Sequence, residues 1–464
     1  MKIAGVFPQQ IGNDFLDPDP EESLGIEYIL GSAKQAGHEV ELFQPINISM
    51  EQIVKELIAW KPDVVAMQLY TKHVPKGLRL AHEVKSCLPQ SWIIAGGPHP
   101  SAVPEFALNT QIDCCVIGEG ERTFMELLFA IEKGSNWNTI KGIAFTDNGK
   151  LVITPKRPRI GNLDDLPLPI RYRQCYQTPS TACSLIYPEP SSSIPAPVLA
   201  SRGCASNCNF CSSPLMWQRC IRYRSASEVV RELRHLQENF GVNIVFFEDL
   251  SFSSSPERIK ELCQEIHRQN MIINWWCQTN VGLVEKELLS VMKEAGCHTI
   301  AFGVESLDNH SLQQMGKARS QTVDKIKKAI DLATAVGMIT WAYYVIGFPW
   351  ETKESIMSCT EQLAGLNIHR LRLSIATPLP GSSWFDKINK STLNPDLSLY
   401  DTNHLVYDHP RLTPRQVKEL QMEIYRGFYK SPKYQQKVQS FLYQNPYMTK
   451  SFTEFLDYTH SQLG

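Results

Sequence analysis

The chain has 464 residues, a formal net charge of −2 and 43% hydrophobic residues. That is enough for two or three cored domains, with no basic excess to point to nucleic acid. No apolar run is long enough to cross a bilayer, and the opening MKIAGVFPQQ reads as a short strand with one lysine, unlike a leader peptide. Thirteen cysteines without an export signal argue against a disulfide framework and for a reducing, cytoplasmic setting.

The first stretch alternates strands and helices. Lys2–Phe7 is a short apolar run, and a loop rich in Asp and Pro follows at Asp14–Pro20. Leu24, Tyr28, Ile29 and Ala33 then recur at helical spacing up to Gly37. Strands are expected at Glu39–Phe43, Asp63–Tyr70, Trp92–Gly96 and Cys114–Ile117. Helices are expected at Met50–Trp60, at Leu78–Cys87 and after Gly118-Glu119-Gly120-Glu121. Such alternation predicts a doubly wound parallel, Rossmann-like sheet over residues 1–135. Ligands of such sheets sit at the carboxyl ends of the strands, so the loops after Phe7, Tyr70, Ile94 and Ile117 are the ones to watch.

Residues 136–195 read as a connector, with a hairpin (Ile143–Thr146 and Leu151–Ile153 around Asn148-Gly149) and a Pro- and Ser-rich stretch from Leu166 to Pro197. Its SSSIPAP segment is expected to be the least ordered. From Val198 the alternation resumes with a strand, Val198–Ala200, that empties into a cysteine-rich loop. Ser225-x-x-Glu228 is a capping box, and Val229, Val230, Leu233, Leu236 and Phe240 form one face of the helix behind it. Further strands are expected at Asn243–Phe247, Ile273–Cys277, Thr299–Val304, Thr340–Ile346 and Arg370–Ala376. Six strands are too few for a closed eight-fold barrel, so residues 196–390 predict an open (βα)6 partial TIM barrel. A helical C-terminal region, 391–464, carries a helix start at Thr413-Pro414 with Gln416 at its third position. Its Tyr425, Phe428, Tyr429 and Tyr434 read as packing residues.

The decisive segment is Ser201-Arg-Gly-Cys204-Ala-Ser-Asn-Cys208-Asn-Phe210-Cys211. Thiolates are the usual ligands of iron–sulfur clusters, and a cube takes four. Three crowded cysteines leave one iron open to bind a small molecule. The alternatives are a zinc site completed by Cys220, or three unrelated buried cysteines; zinc prefers a C-x2-C unit with a second such pair further on, and no second pair follows here.

The spacing C-x3-C-x2-C, with Phe210 before the last cysteine, resembles the signature of the radical S-adenosylmethionine (SAM) superfamily. The resemblance spans about Val198 to Asp386. It implies that Cys204, Cys208 and Cys211 hold a [4Fe–4S] cluster, whose open iron chelates SAM and whose electron releases a 5′-deoxyadenosyl radical. It also marks four strand ends. Asp249 stands at an acidic position that binds the SAM ammonium or caps the next helix. Gly303, Glu305 and Ser306 match G-x-E-S, with Glu305 near SAM or in a core salt bridge. Gly347-Phe-Pro349-Trp-Glu351-Thr352 matches G-x-P-x-E-T, with Gly347 letting backbone approach the adenine and Glu351 capping the next helix. Pro378 lies in Thr377-Pro378-Leu-Pro380-Gly381-Ser382, which resembles the T-P-x-P-G-T end of the sixth strand. Asn280 stands where relatives carry an arginine and supplies no fixed charge.

Residues 1–135 are similar to the cobalamin-binding domain that precedes many radical SAM domains, on the marks Leu24-Gly25, Gly96-Gly97-Pro98-His99-Pro100 and Gly118-Glu119-Gly120-Glu121. The resemblance implies that Gly96, Gly97, Gly118, Glu119 and Gly120 let the flat corrin lie against the strand ends. Gln68, Leu69, Tyr70 and Thr71 would face its lower side. No D-x-H-x-x-G string is present, so cobalamin is expected base-off, with His73 and His99 as surface or loop histidines.

Together the resemblances imply a cobalamin-dependent radical SAM methyltransferase. Its substrate would be a small molecule or natural product methylated at an unactivated carbon, or else at phosphorus. A flavodoxin or ferredoxin would supply electrons, and neither nucleic acid nor membrane is a partner. A radical SAM cyclase, rearrangement enzyme or sugar dehydratase, with or without cobalamin, is the alternative. A non-catalytic metal- or cobalamin-binding scaffold is a third.

Overall fold

The structure, a computed structural model, describes residues 1–8, 22–43, 49–171, 194–317 and 320–463. The expected Asp14–Pro20 loop lies outside them. Five apolar runs form the parallel strands β1 (Lys2–Val6), β2 (Glu39–Phe43), β3 (Val64–Gln68), β4 (Trp92–Gly96) and β5 (Cys114–Val116). They lie in the order β2-β1-β3-β4-β5, with apolar clusters on both faces of the sheet. Burial on both faces explains why these strands read as continuous apolar runs without alternation. The hairpin expected in the connector forms as β6 (Ile143–Asp147) and β7 (Lys150–Ile153), and β6 pairs antiparallel with β5. It therefore extends the N-terminal sheet to seven strands. The helix expected at Leu78 starts one turn earlier, at Val74, with Pro75 in its first turn, where a missing N–H costs nothing.

The second unit comprises β8 (Pro195–Val198), β9 (Ser201–Arg202), β10 (Arg222–Tyr223), β11 (Ile244–Phe247), β12 (Asn274–Thr279), β13 (Cys297–Glu305), β14 (Ile339–Ile346) and β15 (Arg370–Ile375). Six of them make one parallel sheet, β15-β14-β13-β12-β11-β8, with the helices between them packed outside, as an open (βα)6 half-barrel requires. The first barrel strand differs from the expectation. It lies at Pro195–Val198, so part of the segment expected to be least ordered is strand. Two prolines are tolerated because β8 is an edge, bonded only to β11.

The opposite edge, β15, would expose unpaired backbone groups. The C-terminal tyrosines cover it. The Leu373 N–H donates to Tyr425 Oη at 2.7 Å, the Leu371 N–H to Tyr429 Oη at 3.0 Å, and Tyr434 Oη donates to the His369 carbonyl at 2.9 Å. They project from the helices Pro414–Tyr429 and Pro432–Gln444, the first opened by the expected Thr413–Gln416 capping box. The aromatic run thus packs and also seals the barrel edge.

Candidate functional site

The cysteine loop leaves β9 and returns through β10, and the two short strands pair antiparallel to clasp its base. That clasp depends on Gly203, which has φ +112° and where a Cβ would stand 2.0 Å from the Cys220 carbonyl oxygen. The loop's far side is tied to later elements: the Asn209 N–H donates to Met315 O at 3.1 Å, and the Trp384 N–H donates to Asn209 O at 2.9 Å. Cys204 is buried, while Cys208 and Cys211 are half-buried. The Ser213 N–H donates to Cys211 Sγ at 3.4 Å. Burial pushes the Cys208 thiol up to about 12, against the pull of Lys317, and Cys204 and Cys211 lie within electrostatic reach of it. Among the described residues no three His, Cys, Asp or Glu side chains converge tightly enough to hold a metal ion, and Cys220 donates to Ile221 O at 3.9 Å. Cys204, Cys208 and Cys211 share one loop and lie within electrostatic reach of one another, the donor set of a cluster with one open corner.

An aromatic shell backs the loop. Phe210 meets Phe348 edge-on at 5.8 Å, Phe348 stacks on Trp350 at 4.7 Å and lies 5.5 Å from Trp384, and Met315 joins them. The sequence reading had only Phe210 of this group, because the rest are distant in the chain.

At the end of β13, Glu305 adopts φ +60° beside an irregularity in the β13–β14 register, and its carboxylate accepts from Lys317 Nζ at 2.8 Å. Gly303 leaves room for that pair: a Cβ there would fall 2.8 Å from Glu305 Oε1. Ser306 is buried, and its Oγ accepts from the Asp308 N–H at 3.1 Å. Pro378 is buried after Thr377, which bonds the Ile375 carbonyl at 2.9 Å.

Three expected roles are corrected. Asp249 does not cap a helix. Its carboxylate accepts from the Ala200 N–H at 2.9 Å and from the Ser201 hydroxyl, anchoring the base of the cysteine loop, and burial raises it to about 6. The helix cap expected of it is Ser255. Glu351 does not cap the next helix either, because Thr352 and Ser355 form that capping box. Glu351 accepts from the Phe348 N–H at 2.8 Å and so closes its own turn. Gly347 has φ +85°, and a Cβ on it would point at Val417, 3.3 Å away, so its conformation serves the turn and the C-terminal packing. Asn280 donates to Ser251 Oγ at 3.0 Å and reaches Ser206 of the cysteine loop at 3.5 Å.

Burial lifts the Glu351 carboxyl to about 7, opposed by the backbone N–H groups it accepts from. A group that binds its proton more tightly when folded stabilises the fold most below its ordinary range, and that contribution fades as pH climbs through the folded value. Glu351→Gln keeps an acceptor for Phe348 without a charge. Its unfolding free energy, from urea titration, should fall less between about pH 5 and about pH 8 than the parent's, by up to about 3 kcal/mol. Parallel pH profiles for the two proteins would refute this.

At the N-terminal sheet, Gln68, Tyr70, Gly96, Gly97 and Gly118 stand at the carboxyl ends as expected. Tyr70 is 43% exposed and a Cβ on Gly118 would meet open space. Gly97 has φ +102°, and a Cβ there would come within 3.1 Å of Leu69 O. Leu69, however, is turned into the core, where the absent side chain of Gly77 makes room for it. Gly120 admits Ile29, whose Cδ1 would lie 2.8 Å from a Cβ there. Glu119 faces the other domain. It accepts from Arg202 at 3.1 Å, Arg222 at 2.8 Å and the Ile160 N–H at 3.0 Å; burial would raise its carboxyl, but the two arginines outweigh burial and hold it below the usual range. His73 and His99 are not surface residues. Both are buried, His73 near the Leu397–Leu399 turn and His99 against the Phe106 ring, and burial lowers them to about 3 and about 4.

The clasp between the units is ionic and buried. Arg202, at the foot of the cysteine loop, also meets Glu121 at 2.6 Å, and its guanidinium lies 4.9 Å above the Tyr28 ring. Glu232 bridges Arg171, at 2.5 Å, and Arg224, while Arg171 reaches Glu22 and Glu27 at 3.5 Å each. Sequence reasoning missed these arginines, since no local pattern marks a pair formed between domains.

A half-barrel with a three-cysteine loop at its strand ends, fused to a doubly wound sheet, defines a class of enzyme that couples an iron–sulfur centre to a second ligand-binding domain. Residues 198–363 match the radical SAM superfamily and residues 19–128 the B12 binding domain. The chain belongs to the B12-dependent subfamily of the radical SAM superfamily. It is 29% identical to the hopanoid C-3 methylase of Methylococcus capsulatus, over 88% of this chain and 76% of that one. It is 25% identical to the anaerobic magnesium-protoporphyrin IX monomethyl ester cyclase of Rubrivivax gelatinosus, over 87% and 73%. Its fold matches the cobalamin-dependent SAM radical enzyme OxsB, solved with aqua-cobalamin, at TM-score 0.71 and 16% identity, covering 97% of this chain and 72% of that one. The family supports a [4Fe–4S] cluster, SAM and cobalamin as the groups this fold handles. Among the described residues no helix is long and apolar enough to cross a membrane.

Proposed function

We propose that the protein is a cobalamin-dependent radical SAM methyltransferase acting on an unactivated carbon of a small-molecule substrate. One observation carries this reading: Arg202, at the foot of the cysteine loop, is ion-paired to Glu119 and Glu121 at the end of β5. The loop for cleaving SAM is thereby fastened to the strand ends of the B12-type sheet. When bound, the cluster with SAM supplies a radical initiator and cobalamin a methyl donor. Cys204, Cys208 and Cys211 hold the cluster, and Phe210, Gly303, Glu305, Ser306 and Pro378 border SAM. The shell of Phe348, Trp350 and Trp384 excludes water beside them. Gln68, Tyr70, Gly96, Gly97 and Gly118 cradle a base-off corrin, and a flavodoxin or ferredoxin supplies the electron.

Anaerobic turnover with SAM, a reductant and cobalamin tests this. Two SAM consumed per methylated product is the expected result, and turnover undiminished without cobalamin would refute it. The second reading, radical cyclisation, is favoured by the cyclase among the relatives. It predicts 5′-deoxyadenosine with no methyl transfer.

A further inference from the structure

Lys317 belongs to none of the motifs above. Its side chain is 5% exposed, and its Nζ donates to Glu305 Oε1 at 2.8 Å and reaches Gln321 Oε1 at 3.5 Å. An ammonium is costly to bury unless it is paired and held. Here the holding elements are those that build the cysteine loop. Gly316 has φ +80°, and a Cβ there would stand 2.7 Å from the Asn207 carbonyl oxygen. Asn209 bonds Met315 O through its N–H at 3.1 Å and Gln314 O through its amide at 2.5 Å. On the other side, Glu305 sits in a left-handed conformation rare for a non-glycine residue, its carboxylate folded back over Gly303. A Cβ on Gly303 would come within 3.4 Å of Lys317 Nζ. Such local strain is retained where surrounding structure enforces it, commonly at working sites. Met315 and Gly316 therefore place Lys317 directly against the Asn207–Asn209 stretch that contains Cys208.

We propose that Lys317 is a positioning residue of the cluster site, its fixed positive charge favouring one-electron reduction of a cluster held by Cys204, Cys208 and Cys211. Reduction transfers one electron from an external carrier to the cluster, with no bond made or broken, and adds one negative charge behind the Phe210–Phe348–Trp384 shell. A cation locked beside the cysteine loop in that poorly screened setting stabilises the more negative state. Lys317 thereby supplies the charge that Asn280, at the end of the third barrel strand, does not. The inference rests on the cluster reading above.

The test is a redox titration of the cluster-loaded protein without SAM, followed by electron paramagnetic resonance. Lys317→Met should cut the ratio of reduced to oxidised cluster at a given potential at least tenfold, a downward move of about 59 mV for a one-electron couple. Lys317→Arg should restore the parent ratio. If Lys317→Met fails to fold, having left Glu305 buried without its cation, Lys317→Met with Glu305→Gln removes both charges; the ratio should still fall, by less, because the opposing carboxylate charge goes with the lysine. An unchanged ratio in whichever variant loads a cluster would overturn the proposal. Failure of the parent protein to incorporate an iron–sulfur cluster would instead overturn the reading on which it rests.

Discussion

Cys208→Ala is expected to abolish both iron–sulfur incorporation and the release of 5′-deoxyadenosine, down to the background of the assay, while the protein still folds. The loop is shaped by contacts that do not use the thiol: the β9–β10 pairing, the Asp249 carboxylate on Ala200 and Ser201, and the Asn209 bonds to Met315 and Trp384. The lesion therefore falls on the ligand set. A cube that begins with three protein thiolates cannot lose one and keep an open corner for a chelating co-substrate. Cys220→Ala is the control, since the Cys220 thiol contacts only its neighbour's carbonyl among the bonds described, and it should leave iron content and cleavage at parent levels. Iron and sulfide analysis after anaerobic reconstitution, with chromatography of the nucleoside products, reads both variants. Full SAM cleavage by Cys208→Ala would mean that the loop is not the cluster site.

The contrast between Cys208 and Glu119 shows what was legible beforehand. The cysteine spacing, the Thr413–Gln416 helix start and all six barrel strands depend on residues near one another in the chain, so local pattern revealed them. The two prolines of β8 hid its start, because only an edge position, which is a property of the whole sheet, makes them acceptable. Glu119, Leu69 and Gly120 looked like ligand contacts because they follow parallel strands. Their true neighbours are Arg202 and Arg222 for the first, the sheet core for the second and Ile29 for the third, and each is fixed by tertiary packing. Asp249 and Glu351 were found at the right places and given the wrong partners for the same reason. Lys317 carried no signal at all: its meaning comes from a loop that begins more than a hundred residues earlier.

Arg202→Met should lower the unfolding free energy by about 3–5 kcal/mol, the usual cost of removing one member of a buried ion pair. Arg202 is 7% exposed and pairs with Glu119 at 3.1 Å and Glu121 at 2.6 Å. After substitution Glu119 keeps Arg222 at 2.8 Å, so its carboxylate stays compensated. Glu121, whose side chain is 6% exposed, loses the arginine that faces it, and the penalty concentrates there. Adding Glu121→Leu should therefore recover most of the loss, because two apolar groups in place of a buried pair are often neutral or better. A third arm uses acid. Glu119 is held below the ordinary carboxylate range, so its contribution is complete above that range and disappears as pH falls through the folded value. The clasp in the parent should loosen on acidification, and the deficit of Arg202→Met relative to the parent should shrink with it. Urea unfolding of the four proteins of the double-mutant cycle, at neutral and at acid pH, measures each part. Equal stability of Arg202→Met and the parent at neutral pH would show that the ion pairs do not hold the cysteine loop to the B12-type sheet.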